Sequence, residues 1–169
     1  QWSEYNEGFG NIPLGDICTC VEERPGVLWA GSNDSGLVRY DTNTGEKTYF
    51  TEENSPLQSN TIVASCKTRD GSLWFGSYRG GLTCYKDGKF KVYTTENSGL
   101  AVDHVWSLVE DKQGYLWIGL LGKGVQRLDP RTGKFITIGE NSKLANMFVA
   151  SVALDIRGNI VVGTSSAYS

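Results

Sequence analysis

Apolar and polar positions alternate along most of this chain in runs of four to six residues, each closed by a Gly, Asn or Asp turn. Ile17 to Val21, Ile62 to Cys66, Val105 to Val109 and Val149 to Ala153 are such runs. Each leads through a turn into a nearly continuous apolar stretch: Val27-Leu28-Trp29-Ala30-Gly31, Leu73-Trp74-Phe75-Gly76, Leu116-Trp117-Ile118-Gly119 and Ile160-Val161-Val162-Gly163. A period of two predicts strands, and short Gly-rich turns join them as antiparallel hairpins. Helical periodicity is absent over any useful window.

The leading glycines of the apolar stretches stand at 26, 71, 114 and 158, at spacings of 45, 43 and 44. Each period holds four strands, labelled a to d from the axis outward, and that is the arithmetic of a β-propeller blade. The predicted fold is all-β, a propeller region over 1–169. Its blade repeats run approximately over 16–51, 61–94, 104–138 and 148–169, the last incomplete. Residues 1–5 are expected to form an outer strand able to close the last blade. A longer linker echoes between repeats, as Glu53-Asn54-Ser55-Pro56-Leu57, Glu96-Asn97-Ser98-Gly99-Leu100 and Glu140-Asn141-Ser142-Lys143-Leu144. Strand b is apolar on both faces, so it predicts burial between neighbouring blades, with the Trp on one face and its flanking residues on the other. Thr19, Ala64, Ser107 and Ser151 share one position of strand a, where convergence towards the axis leaves room only for small side chains. The count suits either a piece of a larger propeller, or a four-bladed ring that closes alone or pairs with a second copy.

Composition changes the picture only by exclusion. There are 21 glycines in 169 residues, which fits many tight turns. The net charge is −3 with no basic block, so nucleic acid is not an expected partner. No apolar run approaches the ~20 residues of a membrane span, and no signal peptide is visible, which suits a cytosolic or an already processed chain. The four cysteines, Cys18, Cys20, Cys66 and Cys84, lack metal-ligand spacing and read as small buried hydrophobes. No cofactor and no metal is expected.

Asp111-Lys112-Gln113-Gly114-Tyr115-Leu116-Trp117-Ile118-Gly119 and Gly36-Leu37-Val38-Arg39-Tyr40-Asp41, echoed by Gly124-Val125-Gln126-Arg127-Leu128-Asp129, resemble the two-component regulator propeller repeat. The resemblance implies an extracytoplasmic, periplasmic sensor that couples glycan-breakdown products to a kinase. Three copies depart from the pattern, with Ser32, Ser77 and Leu120 where the family has Thr; only Thr164 keeps it.

Binding residues on such a scaffold are expected in loops. Strand a starts and b–c turns should share one rim, at the mouth of the central channel. That places Asn33, Asp34, Tyr78, Arg79, Lys123, Asp103 and His104 together as candidate ligand contacts. Tyr78-Arg79 is the leading pair, since a tyrosine stacks on a sugar ring and an arginine bonds its hydroxyls. Trp106 replaces Cys18, Val63 and Ala150 at its strand a position, so it could floor a site near the axis or only add packing. The functional expectation is a non-catalytic sensor of a carbohydrate or small ligand, with further blades or self-association closing the ring. A protein-interaction platform is the alternative. A propeller lyase or lactonase would need an axial carboxylate cluster, and strand a offers only Asp16 and Asp103 at its starts.

Overall fold

The computed structural model describes residues 16–139 and 148–165, and these are all strand and turn. The outer strand expected at residues 1–5, the third linker echo at 140–144 and the tail from 166 lie outside them. Three four-stranded antiparallel sheets follow one another along the chain, each laid down in simple up-and-down order. The first contains β1 (Ile17–Arg24), β2 (Val27–Ser32), β3 (Leu37–Asp41) and β4 (Lys47–Phe50). The second holds β5 (Ile62–Lys67), β6 (Leu73–Ser77), β7 (Leu82–Lys86) and β8 (Lys89–Tyr93). The third holds β9 (Val105–Glu110), β10 (Leu116–Leu120), β11 (Gly124–Asp129) and β12 (Lys134–Ile138), and a two-stranded fourth pairs β13 (Phe148–Leu154) with β14 (Ile160–Ser165). The innermost strands pack side by side, β1 on β5, β5 on β9 and β9 on β13. This is a partial β-propeller.

The strand b motif forms the seams between blades. Trp29, wholly buried, packs on Phe75, Tyr85 and Phe90 of the second blade and stacks on Phe50 of its own. Leu73 and Phe75 face back into that seam, while Trp74 between them faces the third blade and its Leu116, Ile118 and Leu128. Alternation on a doubly buried strand produces this split. Trp117 meets Val149, Val152 and Val162 and is half-buried; among the described residues two strands of the next blade face it, where four face Trp29. Val161, in the fourth copy's Trp position, is 52% exposed.

The second glycine of the motif lets blades approach. A Cβ built on Gly31 would lie 2.7 Å from Cγ2 of Ile62, and one on Gly119 would lie 2.8 Å from Cγ1 of Val149. Hydroxyls at the small strand a position then reach across: Thr19 bonds Ser65, and Ser107 Oγ accepts from the Val152 N–H at 2.9 Å. The linkers plug the outer seam with Leu57 and Leu100, both buried. Their echo is a repeated capping turn. Asn54 and Asn97 each accept from the backbone N–H of Thr51 and Thr94, and Ser55 and Ser98 each donate to the carbonyl of the same threonine.

Two expectations about β1 need correction. Its alternation is not strict, because a β-bulge between Ile17 and Thr19 moves Ile17 off the face of Thr19 and Val21. Ile17 is 49% exposed, whereas its counterparts Ile62, Val105 and Val149 are buried against the preceding blade. Cys18 and Cys20 are also exposed: Cys18 sits at the bulge, and Cys20 is on the face turned away from the second blade. Cys66 and Cys84 do behave as small hydrophobes beside Trp74, and burial pushes the Cys84 thiol up to about 11.

Candidate functional site

The bulge in β1 recurs. Register shifts fall between Ile62 and Ala64, between Val105 and Ser107, and between Val149 and Ser151. Every blade therefore carries one unpaired residue at the same place on its innermost strand: Cys18, Val63, Trp106 and Ala150. A bulge re-aims the side chain it frees. Trp106 and Val63 are thus turned into a cleft of about 530 Å³ that they line together with Asn33, Thr61 and Tyr78. This cleft is larger than those beside Tyr115 (about 180 Å³) and between Arg69 and Glu110 (about 240 Å³).

Backbone hydrogen bonds hold the mouth of the cleft. In each complete blade the first residue of the b–c turn donates to the residue ahead of β1, β5 or β9: Asn33 to Asp16, Tyr78 to Thr61 and Leu121 to His104, at 3.0, 3.0 and 3.2 Å. The turns are tied across blades as well, by Gly36 N–H to the Asn60 carbonyl, Gly81 N–H to the Asp103 carbonyl, and Thr61 Oγ1–H to the Asn33 carbonyl. Strand a starts and b–c turns thus meet on one rim.

An aromatic cluster crosses that rim. The Tyr78 and His104 rings meet edge to face at 4.5 Å, where the two residues also form an antiparallel bridge. Tyr78 lies 6.3 Å from Trp106, which in turn meets Phe148 of the fourth blade at 5.4 Å. The Arg79 guanidinium sits over the Tyr78 ring at 5.1 Å. Burial, and then the nearby Arg79 cation, hold the His104 imidazole below its ordinary range, against an opposing pull from Asp103. The His104 Nδ1, like the Trp106 Nε1, is buried without a hydrogen-bond partner.

Of the residues expected from the sequence, Asn33, Tyr78 and Trp106 line the cleft, and Arg79 and His104 adjoin Tyr78. Asp103 is committed to its linker, where its carboxylate accepts from both the N–H and the hydroxyl of Thr95 at 2.8 Å. Asp34 bonds the Ser35 hydroxyl, and Lys123 is exposed on the third blade's turn; neither lines the cleft. Val63, at the strand a position of Trp106, also lines the cleft, and Phe148 packs on Trp106 without any signal in the sequence pattern. Among the described residues no group of three or more His, Cys, Asp or Glu side chains could hold a metal ion, and no helix is long and apolar enough to cross a membrane.

Comparison with known proteins places these blades. Residues 56–79 and 99–122 match the family described as two component regulator propeller. Histidine kinase P4 of Formosa agariphila is 30% identical over 152 residues, covering 81% of this chain and 11% of that protein. The extracellular domain of the one-component system BT4673 from B. thetaiotaomicron is 29% identical with a TM-score of 0.73, over 88% of this chain and 20% of that one. Virginiamycin B lyase from Staphylococcus aureus shares the fold, with a TM-score of 0.72 at 15% identity over 90% of this chain and 50% of that one. This chain thus spans about a tenth of the kinase and a fifth of the extracellular domain.

Proposed function

We propose, from the premise that this chain is built of two-component regulator propeller repeats, that it is a non-catalytic part of an extracytoplasmic sensor. Its similarity to a histidine kinase and to an extracellular sensor domain supports that reading. The repeats at 16–51, 61–94, 104–138 and 148–169 are then blades of one propeller, with further blades completing the ring in a periplasmic domain. The ligand is a saccharide, held at the axial mouth.

The observation that carries the ligand reading is the cleft wall formed by Tyr78 and Trp106. Flat aromatic faces suit the apolar face of a pyranose ring, and rim backbone carbonyls and hydroxyls such as Thr61 suit its hydroxyls. Calorimetric titration with a panel of oligosaccharides tests it. At least one should bind, and Trp106→Ala should abolish that binding with little change in melting temperature. Failure of every saccharide, with capture of a protein on the same rim, would favour an interaction platform instead.

A further inference from the structure

Arg79 occupies a backbone conformation that a side chain rarely adopts. Its φ is 69°, in the left-handed region, although two glycines follow it directly. The corresponding residue of the third blade's turn, counted from Leu121, is Gly122, at φ 71°. One turn shape is thus filled by glycine in the third blade and by arginine in the second. A non-glycine residue there is strained, and such outliers gather where function requires them.

The arginine placed at this cost has no ion pair. Arg24, Arg39, Arg69 and Arg131 each meet a carboxylate within 4.0 Å, but among the described residues Arg79, like Arg127 and Arg157, meets none. Asp103, its acidic neighbour on the rim, spends both oxygens on Thr95. Arg79 is exposed, and its guanidinium lies over the Tyr78 ring beside the cleft. The mouth therefore offers a guanidinium without a carboxylate partner next to an aromatic wall.

We infer that the axial mouth selects an acidic saccharide, with the oxyanion of a uronic acid or sulfate ester on Arg79 and its ring against Tyr78 and Trp106. A guanidinium presents paired N–H donors that match an oxyanion, and its place over the Tyr78 ring sets it beside the cleft. The residue freed by the bulge then sets the depth of entry. Trp106 fills that place in the third blade, where Cys18, Val63 and Ala150 leave the axis more open in the others. This inference rests on the saccharide reading above and narrows it to one charge class.

The test is calorimetric titration of oligomers of glucuronate, galacturonate, mannuronate and sulfated galactose, each beside its uncharged counterpart. At least one acidic member should bind about tenfold or more tightly than its neutral partner, the scale expected of one charge-assisted contact. Arg79→Gly should erase that preference while the melting temperature holds or rises, since glycine suits the turn. The arm that binds separates carboxylate from sulfate. Equal binding of charged and neutral partners, or a preference that survives Arg79→Gly, overturns the acidic class but leaves the axial saccharide site standing if Trp106→Ala still abolishes binding. Binding by no member overturns both.

Discussion

Trp29 and Trp106 lie on inner strands of blades one and three, yet their surroundings have little in common. Trp29 is wholly buried in a seam among four aromatic rings, and its Nε1 donates to Glu23 at 2.7 Å. Trp106 is half-buried at the axis, meets Tyr78 and Phe148, and leaves its Nε1 without a partner. The first position is rewritten as Trp74 and Trp117, whereas the second holds a different residue in every blade. A position that repeats is set by the geometry all blades share. A position that does not repeat is free of that geometry and can serve a ligand.

The seams also differ among themselves. In the first, Glu23 bonds both Trp29 and Arg39, the latter at 2.7 Å, and in the third blade Asp111 bonds Trp117 at 2.6 Å. The second blade has Thr68 in place of the acid, and its hydroxyl is spent on Asp70 and the Ser72 carbonyl. Trp74 Nε1 is left unsatisfied there, and Cys84 replaces the arginine. In that seam the charged contact moves away from the Trp: Arg69 reaches across to Glu110 at 3.3 Å and to the Asp111 carbonyl at 2.7 Å.

The sharpest way to break the contrast between seam and mouth is truncation. Trp29→Ala should cost about 3–5 kcal/mol in urea unfolding, the scale of a buried aromatic lost from a core. Trp106→Ala should cost much less in the same assay. Comparable losses would mean that the mouth is core.

A smaller effect is expected where blades touch. Gly119→Ala would press a methyl group into Val149 and should cost roughly 1–3 kcal/mol by overpacking. A neutral result would show that the fourth blade is not seated against the third as described.

The charged clasp gives the smallest stability effect, and it depends on pH. Burial pushes the Glu23 carboxyl up, but the hydrogen bonds from Arg39 and Trp29 prevail and hold it below the usual carboxylate range. Its contribution is thus complete above the ordinary glutamate value and is lost as the pH falls through the lowered one. Glu23→Gln should cost on the order of 1 kcal/mol at neutral pH and flatten part of the acid limb of the stability curve. An unchanged acid limb would remove the clasp from the account.

The seams are readable in the sequence because a Trp at a fixed period, between apolar neighbours, has few places to go. The mouth is legible there only in outline. Rim membership follows from strand order, so the turn pattern alone groups Asn33, Tyr78 and His104. A bulge, however, leaves no mark in the identity of the residue it frees, and nothing about Val63 or Ala150 announces one. The left-handed φ of Arg79 is hidden by Gly80 and Gly81, which would ordinarily be expected to take it. Asp103 looks available as a carboxylate at a strand start, but its bond to the Thr95 N–H repeats the one from the Glu52 N–H to Asn60 Oδ1 in the preceding linker.

The most direct test of the division between seam and mouth is to follow the indole N–H signals by two-dimensional NMR during titration with the acidic oligosaccharides. Among the described tryptophans, the Trp106 signal should shift with saturation while those of Trp29, Trp74 and Trp117 stay in place. A stationary Trp106 signal, or movement confined to the seam tryptophans, would contradict it.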